Sequence, residues 1–112
     1  MRIAKLATGR FEVVGLDQSF HGLTAGVASI TYSVGHRGYG PQMPGSFALP
    51  APYSYRCTIR SRGDGTPGCG TCDMGCMERG FELFDANSAG SLAATIAEPV
   101  LSAGGVIDPP PG

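Results

Sequence analysis

Apolar positions along the chain fall into short runs whose internal spacing changes from one run to the next. Ile3 and Leu6 stand three apart and predict a helix over residues 1–6, with a stop at Thr8 and Gly9. Phe11, Val13, Val14 and Leu16 form a compact run with no alternation. It predicts a strand buried on both faces, as parallel strands are. Leu23, Val27 and Ile30 recur at helical intervals and predict a helix that begins near His21, with Ser19 as its cap. "GHRGYGPQMPG" (35–45) is loop by every local signal. "SFALPAPYSY" allows a short strand at most, because Pro50 and Pro52 break it. After the loop "RSRGDGTPGCG", residues 73–85 predict a helix with Met77, Phe81 and Phe84 on one stripe. "AATIAEPVLS" predicts a second buried strand, with Glu98 and Pro99 at its end. The order is helix, strand, helix, short strand, helix, strand. It predicts an α/β fold: a partial, mostly parallel sheet with crossover helices.

Composition changes this picture in two places. Eighteen glycines and nine prolines among 112 residues approach the level at which low-complexity disorder arises. They cluster between the periodic segments, however, and so punctuate a fold instead of diluting it. The chain also runs out on "DPPPG", which can extend neither a helix nor a central strand. Residues 1–112 are therefore expected to be an internal fragment, incomplete at both ends. A net charge of -1 and a pI near 6.0 give no electrostatic reason to expect nucleic acid. No apolar run approaches the roughly 18 residues of a membrane span, and the first residues lack a signal-peptide core. The expectation is a cytoplasmic protein with neither membrane nor nucleic acid as partner.

Candidate chemistry is sparse. Cys57, Cys69, Cys72 and Cys76 end in a C-x2-C-x3-C spacing that is unusual for zinc, since two of the thiols fall at i, i+4 on a predicted helix. A small metal- or redox-binding module is one reading, thiols on a loop and helix start the other, and no metal ligand is assigned. His21 and His36 make no metal spacing, and no Ser-His-Asp or Cys-His set can be assembled. "GDG" at 63–65 is a turn signal with no phosphate-loop context. Two features lie where open α/β sheets bind ligands, just past the carboxyl ends of strands. Phe20, between the first strand and its following helix and two residues before Gly22, offers a flat aromatic face with room beside it. Glu98 is a carboxylate at the tip of an apolar strand and needs water, a partner or a ligand. Core packing at a helix start and a plain solvent contact are the ordinary alternatives for the two.

Three stretches carry more than spacing. "TGRFEVVGLDQSFHGLT", "GSFALPAPYSYR" and above all "SAGSLAATIAEPVLSAGGVIDPPPG" resemble the class III aminotransferases of fold type I, and within them the branch containing 2,2-dialkylglycine decarboxylase. The resemblance spans residues 5–112 and is weakest between Cys57 and Met77. It implies a piece of the large domain that binds pyridoxal 5'-phosphate, in an enzyme that is a homodimer and acts on small amino and keto acids. Phe20 matches the aromatic that stacks on the cofactor ring, Gly22 would let backbone approach, and His21 lies beside the stack. Glu98 matches the strand-end glutamate near cofactor and substrate. The implied chemistry proceeds through a Schiff base, with the ring as electron sink.

The departures are informative. Lys5 is the sole lysine in the chain and falls where the family has no catalytic residue. The Schiff-base lysine and the aspartate that pairs with the ring nitrogen would follow Gly112, and the phosphate-holding turn would precede Met1. No catalytic residue is expected in this segment, which would be inert alone. The decarboxylase carries tryptophan at the position of Phe20 and serine at that of Ala103, which favours transamination over decarboxylation. A non-catalytic α/β fragment is the remaining alternative.

Overall fold

The computed structural model describes residues 1–33, 38, 40–57, 59, 68 and 72–110. His36 and Cys69 lie outside them. The elements run α1 (Arg2–Thr8), β1 (Glu12–Leu16), α2 (Ala25–Ala28), β2 (Ser46–Leu49), a 3-10 turn (Ser54–Arg56), α3 (Gly75–Asn87) and β3 (Leu92–Ile96). The predicted alternation is present, with one short turn added. α1 ends as the sequence indicates, at Gly9 in the left-handed region with its N–H donated to the carbonyl of Lys5.

The three strands form one parallel sheet in the order β2-β1-β3. β1 is central and every residue of it is buried, Glu12 included, as the compact run without alternation predicts. Its neighbours come from later in the chain, so α2 lies in the β1–β2 connection and α3 in the β2–β3 connection. Val14, Leu16, Leu49, Phe84, Leu101 and Ile107 form the core. Burying each such side chain contributes ~1.5–3 kcal/mol. α3 packs on β2, with the Phe84 ring edge-on to Phe47 at 5.1 Å. Gly80 lets the two elements meet, since a Cβ there would come within 2.6 Å of Pro50 Cδ.

Four expectations need correction. The helix after β1 is a single turn whose N-cap is Thr24, not Ser19. Ser19 is instead fully buried and donates its hydroxyl to the Ile30 carbonyl. The buried stripe of α3 is Cys76, Gly80 and Phe84, while Phe81 is exposed. The cause is the glycine: a face without a Cβ can lie against β2, which turns Phe81 outward. β3 is half-exposed, not buried, because among the described residues it pairs on one side only, with β1.

Candidate functional site

Both features singled out in the sequence, Phe20 and Glu98, sit at the carboxyl edge of the sheet. The chain leaves β1 through Asp17 and Gln18, the latter in the left-handed region at φ 63°. Two acids then tie the strand exits together. Asp17 donates its N–H to the Leu49 carbonyl at 2.7 Å, and its Oδ1 accepts from the N–H of Ala51 at 2.5 Å. This joins the exits of β1 and β2. From the other side Glu98, two residues past β3, accepts the N–H of Phe20 on Oε1 at 2.6 Å. Its Oε2 accepts the hydroxyl of Ser102 at 3.0 Å and the Ser102 N–H at 3.3 Å.

The segment carrying Phe20 is held from below as well. Tyr32 and Ser33 donate their N–H groups to the Ser19 carbonyl at 2.9 and 3.0 Å. Thr31 is buried, and its hydroxyl oxygen accepts the N–H of His21 at 3.0 Å. The same oxygen lies 3.0 Å from the carbonyls of Gly22 and Val27, to which its proton is directed. Gly22 has φ 112°, a region that L side chains rarely adopt, and a Cβ there would meet Val27 Cγ2 at 3.2 Å. A side chain at position 22 would therefore be strained. The outcome is a firmly mounted loop on which Phe20 stays 41% exposed. A bulky apolar ring held rigidly at the edge of a sheet is a surface prepared for contact.

Charge at this edge follows burial and donors. Burial depresses the His21 imidazole below its ordinary 6.5, and the nearby Glu98 carboxylate only partly offsets this. The neutral ring is favoured, and its Nε2 is buried without a hydrogen-bond partner among the described residues. Such an atom is one that a bound group can satisfy. For Glu98, partial burial works to raise the pKa. The N–H of Phe20, both donors of Ser102 and the proximity of His21 outweigh it, so the carboxyl titrates below 4.5. Asp17 has a single donor, and burial pushes it above 3.8.

Comparison with known proteins gives this arrangement its family. The sequence model of the aminotransferase class-III family matches residues 1–112. This chain is a class III aminotransferase sequence. It is 38% identical over its whole length to an uncharacterized aminotransferase of Schizosaccharomyces pombe, spanning 24% of that relative. It is 33% identical over 98% of its length to a diaminobutyrate–2-oxoglutarate aminotransferase of Rhizobium meliloti, spanning 23% of it. Among solved structures, an amine transaminase of an uncultivated Pseudomonas species in its PLP-bound form superimposes with a TM-score of 0.72. The identity there is 32%, over 96% of this chain and 23% of that one. The class III segment in hand thus spans about a quarter of the length of the curated relatives it matches.

Of the residues that sequence reasoning selected in this aminotransferase segment, Phe20, His21, Gly22 and Glu98 are brought together by the fold. Thr31 and Ser102 were missed. Ser102 stands four residues after Glu98, a separation that a turn can close, but serine in a glycine-rich stretch is too common to signal anything. Thr31 had no signal at all, since it acts on a loop that precedes it by nine residues or more. The thiols stand apart from this edge in role. Cys57 and Cys76 are buried and Cys72 partly so. Among the described residues no group of three or more His, Cys, Asp or Glu is placed to hold a metal. No described helix is long and apolar enough to cross a membrane.

Proposed function

We propose that this chain is a portion of the cofactor-binding large domain of a pyridoxal-phosphate-dependent aminotransferase that moves an amino group between an amino donor and a keto acid. Phe20 would supply the aromatic wall for the cofactor ring, Gly22 the close backbone approach, His21 a neighbouring nitrogen, and Glu98 the acid nearest cofactor and substrate. The observation that carries the reading is the 2.6 Å bond from Phe20 N–H to Glu98. It fixes a half-exposed aromatic and an ionised carboxylate side by side at the ligand-binding edge of a parallel sheet.

The residues present fit the group. Phe20 is 41% exposed, and the buried Nε2 of His21 has hydrogen-bonding capacity to spare. When bound, the cofactor supplies the electron sink on which amino transfer depends. This segment's own part is to hold one face of it and keep the adjoining acid ionised. Its single lysine, Lys5, is on α1, so the amine that anchors the cofactor belongs elsewhere in a longer polypeptide. Relatives named as aminotransferases support transamination over a decarboxylating variant. A homodimer in the cytoplasm completes the proposal.

The test is to express the complete polypeptide, dialyse it, and quantify bound pyridoxal phosphate together with amino transfer from a panel of amines to 2-oxoglutarate. Bound cofactor and transfer are expected. A polypeptide with no bound cofactor, and no lysine-bearing strand and loop encoded after Gly112, would sink the reading.

A further inference from the structure

The carboxylate of Glu98 is spoken for by the protein itself. Oε1 takes the Phe20 N–H at 2.6 Å, and Oε2 takes both donors of Ser102 at 3.0 and 3.3 Å. The three residues form a line: a turn after β3, an acid at the β3 exit, and the backbone that carries the aromatic after β1. The line is braced at its far end. Leu101, immediately before Ser102, is fully buried and exchanges backbone hydrogen bonds with Ile107. Gly104 lies so close to the β1 exit that a Cβ there would stand 2.9 Å from both Cβ and O of Gln18. The hairpin 101–107 therefore packs closely on the backbone of Gln18, and Ser102 projects from that base.

We propose that Ser102 and Glu98 act in series as positioning residues, holding the backbone at Phe20 so that its ring keeps one face toward a planar heteroaromatic ligand. The proposal rests on the reading of this edge as a pyridoxal-phosphate wall. It adds a role for Ser102 and makes the effect of Glu98 on the cofactor pass through Phe20. A charge-assisted bond to an N–H is the strong kind, and an acceptor with both oxygens occupied has little freedom to swing. Removing the Ser102 hydroxyl leaves Oε2 with one long bond and lets the carboxylate rotate away from Phe20.

The experiment is a double-mutant cycle on the complete polypeptide, with the dissociation constant for pyridoxal phosphate as readout. Ser102→Ala is expected to weaken cofactor binding by about 3- to 10-fold, the size of one hydrogen bond, and Ser102→Thr to restore it. In a Phe20→Leu background, Ser102→Ala should have no further effect, because the ring it positions is gone. Phe20→Ala serves as a second background should the leucine variant misfold. An undiminished Ser102→Ala effect in those backgrounds would overturn the proposal, as would no effect in the wild type or no recovery with threonine. Wild-type polypeptide that holds no pyridoxal phosphate would instead overturn the underlying function, which keeps the two failures separate.

Discussion

Adding one methyl group at Gly15 should loosen the candidate site without touching Phe20, His21, Gly22 or Glu98. Gly15 is in the middle of the central strand, in register with Ala48 on one side and Ile96 on the other. A Cβ there would lie 2.9 Å from the Ile30 carbonyl oxygen and 3.3 Å from Tyr32 Cε2. The first neighbour is backbone and cannot swing aside, so segment 30–33 must lift. That segment holds Ser19 through Tyr32 and Ser33 N–H, and the His21–Gly22 turn through Thr31. Over-packing of this kind costs ~1–3 kcal/mol, and a clash with a fixed carbonyl belongs near the upper end. Against it stand ~0.8 kcal/mol for the buried methyl and ~0.4–1 kcal/mol from a stiffer unfolded chain. The balance is a local loss of ~1–2 kcal/mol, or about 5- to 30-fold in the opening equilibrium. Hydrogen exchange on the Gly15→Ala form of the complete polypeptide reads it directly. The amides of Tyr32 and Ser33 should lose protection by that factor, and the Asp17 amide, bonded to Leu49, should lose less. Unchanged protection at Tyr32 and Ser33 would refute the idea that β1 and segment 30–33 touch through Gly15.

Three further outcomes are expected. Leu101→Ala removes a fully buried member of the core and should destabilise by ~2–5 kcal/mol, while Val100→Ala, at an exposed neighbour, should stay within ~0.5 kcal/mol; paired denaturant titrations check this. The hydrogen bond from Ser88, aided by those from Ala89 and Ser91, holds Glu12 below 4.5 despite burial. Its stabilising contribution is therefore complete above that value and lost as pH falls through the folded one, so Glu12→Gln should flatten the acid limb of a stability profile. His21 is depressed below 6.5 by burial. The folded state then takes up fewer protons there than the unfolded one, and stability falls as pH drops through 6.5 and below. A His21→Asn variant should lose that dependence in melts recorded across the range, and an unaltered profile would count against it.

The strands were legible because their physics is local. The run from Phe11 to Leu16 contains nothing but apolar side chains, Glu12 and one glycine, and a central parallel strand needs that composition. Glu12 shows where the pattern needs help: a buried carboxylate in the run is tolerable only because Ser88, Ala89 and Ser91 close on it, and those partners lie more than seventy residues away. The helix after β1 was misjudged for a different reason. Leu23, Val27 and Ile30 keep helical spacing, yet Gly22 stands at φ 112°, outside the helical region, so no helix can run from His21 and the turn starts only after Thr24. Phe20 and Glu98 were legible as strand-exit residues from position, and as a pair from family resemblance. Their direct contact was not, because it depends on β3 lying beside β1, and sequence order alone permits other arrangements.

Asp17 and Glu98 show how one structural task yields opposite shifts in acidity. In a parallel sheet each strand exit leaves backbone N–H groups that the next strand no longer pairs, and a short acid at the end of one strand can reach those of its neighbour. Asp17 does this from β1 to Ala51 past β2, and Glu98 from β3 to Phe20 past β1. The bonds are nearly equal in length, 2.5 and 2.6 Å, so the bond itself cannot explain why one carboxyl is raised and the other lowered. The surroundings can. Asp17 meets desolvation with one donor, whereas Glu98 adds both donors of Ser102 and a neighbouring imidazole. Asp17 is thus protonated more readily than an ordinary aspartate, and Glu98 less readily than an ordinary glutamate. The acid whose ionised form is favoured is the one beside the exposed ring. Ionisation is thus favoured beside the exposed ring and disfavoured at the β1–β2 seam.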